Sequence, residues 1–221
     1  MMTEQQTILF TNKIITVEQI APEAFILAMP RLHDFVPGQV VGLTLDETEP
    51  PRLYSIASGA REDEMRILFN IIPQGSLTKK LSKLKKGDRI YVTEPFGSFY
   101  GKAGPAYWIA TGTGIAPYLS MYRSGLGKNK VLIHGSRSLD SFYFQKELKE
   151  NLSHNYIRCC SRESAKGVFK GRVTEYLKQQ HNLPTDYKYY LCGGSEMVVE
   201  VRDILVDKGI PFGNIVAEIY F

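Results

Sequence analysis

The segment Gly112-Thr113-Gly114-Ile115-Ala116-Pro117 follows directly on the apolar run Tyr107-Trp108-Ile109-Ala110. Glycines at a strand end let the backbone come close to a pyrophosphate. A helix starting just beyond them offers unpaired N–H groups and the positive end of its dipole. Pro117 suits the first helical turn, where its missing donor removes nothing. A Gly-x-Gly alone is weak and fits a plain tight turn as well, but the strand-turn-helix context favours a bound nucleotide.

A second group is Arg52-Leu53-Tyr54-Ser55-Ile56-Ala57-Ser58. Arginine can hold a pyrophosphate bidentately, and a tyrosine two residues on, on the same strand face, can stack on a flat ring. Taken alone, the plainer reading is a barrel strand with one exposed arginine. Gly75-Ser76-Leu77-Thr78 offers N–H groups and two hydroxyls to another phosphate, or is an ordinary helix cap.

The elements that must position these residues change character along the chain. Seven short segments, 7–10, 14–17, 24–29, 40–45, 53–58, 65–72 and 89–94, are rich in β-branched or aromatic residues and bounded by Pro, Gly, Asn or Asp. They suggest an antiparallel barrel or sandwich. One helix belongs among them, at 76–84, where Leu77, Leu81 and Leu84 recur at helical spacing and Gly87 is the stop. After Gly101 the rhythm becomes strand-helix. Strands are expected at 106–110, 131–134, 156–160, 187–192 and 215–220, with helices at 117–122, 141–152, 172–180 and 196–207. Ser195 reads as the N-cap of the last helix and Gly209 as its stop. Such alternation means a parallel α/β sheet. The cluster of Gly and Lys at 101–104 marks the boundary, giving domains 1–101 and 102–221.

Composition narrows the classes. The chain has 221 residues, 43% hydrophobic and 23% charged, enough for a substantial core and against disorder. It contains no apolar run of 18 residues and no basic-then-apolar start, which argues against a membrane span and a secretory signal. Three cysteines, Cys159, Cys160 and Cys192, include two sequence neighbours and leave an odd count, so reduced thiols in a cytoplasmic setting are expected. Their spacing excludes a [2Fe–2S] domain within this sequence, and four scattered histidines give a metal site no support. A formal charge of +4 falls short of a nucleic-acid-binding composition but suits an acidic protein partner.

In order along the chain, Arg52-x-Tyr54-Ser55, Gly75-x-Leu77-Thr78, Gly112-x-Gly114-x-Ala116-Pro117 and Cys192-Gly193-Gly194 resemble the ferredoxin/flavodoxin–NADP reductase family, in its compact bacterial form. The resemblance spans nearly the whole chain. It implies an N-terminal antiparallel six-stranded β-barrel that binds FAD and a C-terminal parallel, Rossmann-like α/β domain that binds NADP(H). It implies that Arg52 binds the flavin pyrophosphate, Tyr54 stacks on the isoalloxazine and Ser55 sits near flavin N5. Strict strand alternation turns Ser55 away from the face of Arg52 and Tyr54, so this placement requires a twist at the sheet edge. Leu53 belongs to the same segment, Ile56 and Ala57 would lend backbone groups, and Gly75, Leu77 and Thr78 would cover the pyrophosphate. Gly112, Thr113 and Gly114 would meet the dinucleotide, and Cys192 and Gly193 would border the nicotinamide.

Discriminating a 2′-phosphate needs cationic fork donors near the ribose. Arg137, Ser161-Arg162-Glu163 and Gly171-Arg172 all follow expected strand ends on one sheet edge, and the Ser-Arg-Glu…Gly-Arg pair resembles the family's NADP-specific pattern. NADPH is therefore favoured over NADH. The terminal aromatics Tyr220 and Phe221 would pack on FAD, where the family commonly ends in Trp, and Glu218 resembles a family acid near the flavin or is an exposed strand residue. Lys79, Lys80, Lys83, Lys85 and Lys86 form a run that is a solvated face or a docking patch for an acidic ferredoxin or flavodoxin. The resulting expectation is hydride transfer from NADPH to FAD followed by single-electron transfers, with Ser55, Cys192 and Glu218 nearest the chemistry. The alternatives are a reductase component of an oxygenase, a free-flavin or quinone reductase, and a non-catalytic nucleotide-binding subunit of a larger complex.

Overall fold

The computed structural model describes residues 8–220, and of Tyr220 the backbone only. The chain divides into two compact units. One comprises the residues up to Tyr100 together with Leu119–Ser124, and the other comprises Gly101–Tyr118 and the residues from Gly125 onward.

The first unit holds β1 (Phe10–Lys13), β2 (Thr16–Ala21), β3 (Ala24–Pro30), β4 (Val40–Thr44), β5 (Arg52–Ser55), β6 (Glu64–Asn70), helix α1 (Leu77–Leu81) and β7 (Arg89–Val92). Seven strands rather than six form two antiparallel sheets, ordered β1-β7-β4-β5 and β2-β3-β6. A bridge between Ile56 and Ile67 links the end of β5 to β6. Phe25, Leu27 and Met29 of β3 meet Ile67, Phe69, Val41, Leu43, Ile90 and Val92 in the core. Burying each such side chain stabilises the unit by about 1.5–3 kcal/mol.

The first two strands lie a few residues later than the alternation predicts. Ile14, expected to open a strand, is instead a buried corner. Its N–H donates to Asp88 O and its carbonyl accepts from Gly87, after which the chain leaves one sheet for the other. Pairing with β7 decides the register here, as tertiary context commonly does in strands. Helix α1 is also shorter than the expected 76–84. After Ser82 the chain tightens into turns, and Asp88 accepts the Lys85 N–H at 2.7 Å.

The second unit holds β8 (Ala106–Thr111), a 3₁₀ turn at Gly112–Ile115, α2 (Ala116–Met121), β9 (Lys130–Ser136), α3 (Gln145–Leu152), β10 (Tyr156–Cys160), β11 (Phe169–Lys170), α4 (Val173–Lys178), β12 (Lys188–Gly194), α5 (Ser195–Asp207) and β13 (Ile215–Tyr220). The six strands are all parallel, in the order β11-β10-β9-β8-β12-β13. The core is built from near-continuous apolar strands, as a sheet covered on both faces requires: Ile109, Ile133, Cys159, Tyr189 and Leu191 pack with Val198, Val201 and Leu205 of α5.

Three expectations are corrected here. The helix expected from 141 starts at Gln145, because Phe142 and Tyr143 are buried first and Phe144 takes a left-handed turn (φ 58°). Gly194, not Ser195, is the N-cap of α5. Arg172 is the N-cap of α4, its N–H donating to Glu175 Oε2 at 2.7 Å. Two further features carry no clear local signal. One is the two-residue strand β11. The other is Lys130, which is fully buried, donates to the carbonyls of Lys102 and Gly104, and has its pKa lowered by desolvation.

Candidate functional site

In the second unit the chain runs β8, β9, β10, β11 toward one edge, then returns to place β12 on the other flank of β8. Strand order therefore reverses between β8 and β12. A crevice at the carboxyl ends of such a pair is where open α/β sheets bind ligands. Both glycine motifs stand there. Gly112 opens the turn after β8 with φ +55°, and a Cβ at that position would meet nothing within 4 Å. An added Cβ on Gly114 would overlap the Cys192 carbonyl, and one on Gly193 (φ +151°) would overlap the Thr111 hydroxyl. Gly114 thus meets the Cys192 backbone and Gly193 the Thr111 side chain, and neither position has room for a Cβ. Gly194, like Gly112, borders open space. Thr113 is half-buried within the turn, between these glycines.

Cys192 and Glu218 are register partners on β12 and β13, and the buried Cys192 thiol donates to Glu218 Oε2 at 3.9 Å. The expectation of a merely exposed Glu218 is corrected, since it is half-buried. Beneath the Gly112 turn lies a residue that motif reading missed. His134 is wholly buried in β9, its Nδ1 is 3.0 Å from the Tyr156 hydroxyl and its ring meets Phe142 edge-on. Desolvation pushes its pKa down to about 3, against the opposing pull of the Gly112 carbonyl. A histidine inside the apolar run Val131-Leu132-Ile133-His134 was the available signal.

Three guanidinium groups follow three adjacent strands: Arg137 after β9, Arg162 after β10 and Arg172 after β11, all exposed. The first two loops are tied by backbone hydrogen bonds, Ser161 N–H to Ser136 O at 3.0 Å and Arg162 N–H to Arg137 O at 3.1 Å. Glu163 accepts the Leu139 N–H at 2.7 Å. Arg172 Nη1 lies 3.5 Å from Glu196 Oε1, in a pair with side chains 63% and 85% exposed. Such an exposed pair is worth about 0–1 kcal/mol, so the guanidinium stays available to an anion.

In the first unit, Arg52 and Leu53 are exposed on β5, Tyr54 is half-buried edge-on to Phe69, and Ser55 is buried at the strand end, opposite Val40. No carboxylate pairs with Arg52 among the described residues. Burial pushes the Tyr54 phenol up to about 12, so the ring stays neutral beside the arginine. The Ile56 and Ala57 N–H groups are bonded to Gln39 O and Arg66 O. One expectation is corrected. The Thr78 hydroxyl is turned inward, accepting the Ile72 N–H at 3.0 Å and bracing the 72–76 turn that carries Gly75, while Leu77 is half-buried. All five lysines of the 79–86 run are exposed. The Tyr220 side chain and Phe221 lie outside the described residues. Among the described residues no helix is long and apolar enough to cross a membrane.

Comparison with known proteins agrees with this layout. Residues 108–203 match the oxidoreductase NAD-binding domain. The chain is 31% identical over 201 residues to the reductase component of propane 2-monooxygenase from Mycolicibacterium goodii, covering 82% of this chain and 58% of that protein. It is 28% identical over 219 residues to the flavodoxin/ferredoxin–NADP reductase of Escherichia coli, covering 87% of this chain and 88% of that protein. The chain spans little more than half the length of the first curated relatives it matches. Among solved structures, a ferredoxin NADP+ reductase from Neisseria gonorrhoeae with bound FAD and NADP superposes with a TM-score of 0.87 at 24% identity, covering 96% of this chain and 99% of that one.

Proposed function

The chain belongs to the ferredoxin/flavodoxin–NADP reductase family, and from that premise we propose a flavoprotein oxidoreductase that passes electrons between NADP(H) and a ferredoxin or flavodoxin through FAD. The observation that carries the proposal is the pair of glycine loops at the strand-order reversal, which leaves open space at Gly112 and Gly194 beside a buried thiol. Bound FAD supplies the conversion of a two-electron hydride into single electrons. The chain's own task is to bind and orient the dinucleotide and the flavin.

Residue by residue, Arg52 binds the flavin pyrophosphate, with Gly75, Leu77 and the braced 72–76 turn beside it. Tyr54 stacks on the isoalloxazine, and Ser55 stands near N5. The exposed, unpaired Arg52 and the neutral Tyr54 ring fit those roles. Gly112, Thr113 and Gly114 receive the dinucleotide phosphates, and Cys192 and Gly193 border the nicotinamide. Glu218 accepts from the Cys192 thiol and serves proton passage beside it. Arg137, Ser161, Arg162 and Arg172 hold the 2′-phosphate. The exposed lysines 79–86 steer an acidic carrier.

An anaerobic absorbance titration tests this reading. A flavin spectrum bleached near stoichiometrically by NADPH, and far more weakly by NADH, is the expected result; a protein that takes up no FAD refutes it. A second reading, a reductase component serving an oxygenase, is favoured by the 31% identity to the monooxygenase reductase. Reduction of ferredoxin or flavodoxin at rates well above those with free flavin supports the first reading, and the reverse ranking supports the second.

A further inference from the structure

A cleft of about 560 Å³ lies beside residues 156–158 of β10. Strand β11 pairs only with Cys159 and Cys160, so it leaves this part of β10 uncovered. The cleft therefore stands toward the amino end of the strand, whereas Arg137, Arg162 and the glycine loops follow carboxyl ends. Its volume is that of a small-molecule site.

The lining is one-sided in charge. Lys149, Arg158 and Lys166 contribute the charge, His154 adds an imidazole, and no acidic residue lines the cleft. None of these four has an ion-pair partner among the described residues. A concave wall carrying one sign of charge concentrates the opposite ion. Arg158 is pre-positioned: its Nη1 donates to Gln145 Oε1 at 2.9 Å, and its guanidinium carbon is 5.7 Å from the Phe142 ring centroid. The remaining wall includes Phe169 and Tyr176, whose rings meet edge-to-face at 5.4 Å. Cations and ring surfaces in one cleft match a ligand that is both anionic and aromatic.

We propose that this cleft binds a small aromatic phosphate of nucleoside-monophosphate size, at a second site distinct from that of the dinucleotide. The proposal stands on the cleft alone and does not depend on the flavin chemistry.

Calorimetric titration of AMP into the holoprotein, with NADP+ present at saturation, tests it. One AMP per chain is expected to bind under those conditions. The double variant K149E/K166E changes two exposed side chains and should weaken AMP binding by at least about tenfold, given the strength of hydrogen bonds to charged groups, and leave NADP+ affinity within about twofold. Adenosine and inorganic phosphate should each bind much more weakly than AMP. Loss of AMP binding once NADP+ is added, an undiminished affinity in the double variant, or equal binding of adenosine or of phosphate would each overturn the proposal. If NADP+ itself fails to bind, the dinucleotide reading falls, and the comparison of AMP with the double variant still decides the cleft.

Discussion

Replacing both Arg162 and Arg172 with alanine separates recognition of the 2′-phosphate from everything else the second unit does. Arg162 is exposed, and its structural link is made by the main chain, N–H to Arg137 O, which alanine retains. Arg172 caps α4 through its backbone N–H to Glu175 and makes only a loose, exposed pair with Glu196. The stability change should therefore stay within about 0.5 kcal/mol per site. A hydrogen bond between charged groups is worth about 1.5–3 kcal/mol, and the exposure of both side chains argues for the lower figure. Two such losses total about 3 kcal/mol, or slightly more than 10²-fold in affinity. Steady-state oxidation of NADPH and NADH, measured in parallel, should show KM for NADPH rising by that factor while NADH changes by less than about twofold. Equal losses with both nucleotides, or an unchanged NADPH KM, would refute the assignment of these arginines.

Three other positions give independent outcomes. In Gly114→Ala the new methyl group would overlap the Cys192 carbonyl, so the melting temperature should fall by several degrees, corresponding to about 1–3 kcal/mol. Gly112→Ala meets only open space and a left-handed φ costing about 1–2 kcal/mol, so its larger effect should be on nucleotide affinity, read by comparing KM with melting. The buried His134 ring, its pKa pushed down from 6.5 to about 3, refuses a proton that the unfolded chain accepts. It therefore contributes stability that is fully present above pH 6.5 and is lost as pH falls toward 3, at up to about 1.4 kcal/mol per unit. Urea unfolding at pH 7 and pH 5 should show about 2 kcal/mol less acid loss in His134→Gln than in the parent, and identical losses would contradict it.

What could be read from residue types alone was the local part of this design. Most segments with alternating or continuous apolar residues became strands, because burying one face or both is the dominant requirement on a short β segment. Boundaries failed where a distant contact outweighed a local preference. Ile14 turned a corner to reach Asp88, and Phe142 and Tyr143 buried themselves before α3 could start. His134 stood out against its apolar neighbours, but its partner Tyr156 is brought to it only by the parallel pairing of β9 with β10. The basic cleft was invisible for the same kind of reason, since it exists because β11 is only two residues long.

The glycines make the limit sharpest. Gly112, Gly114, Gly193 and Gly194 look alike as a phosphate-binding signature, yet they divide into two kinds. Gly114 is required because the Cys192 backbone presses on it where strand order reverses, and Gly193 because the Thr111 and Met197 side chains do, at a left-handed φ. Gly112 and Gly194 have no such neighbour and leave the crevice open on either side of that contact. One pair makes the floor rigid and the other leaves room above it. A signature of this form reports a place where the chain must approach something closely. Whether that something is the protein or a ligand is decided by the strand beside it, which the motif does not contain.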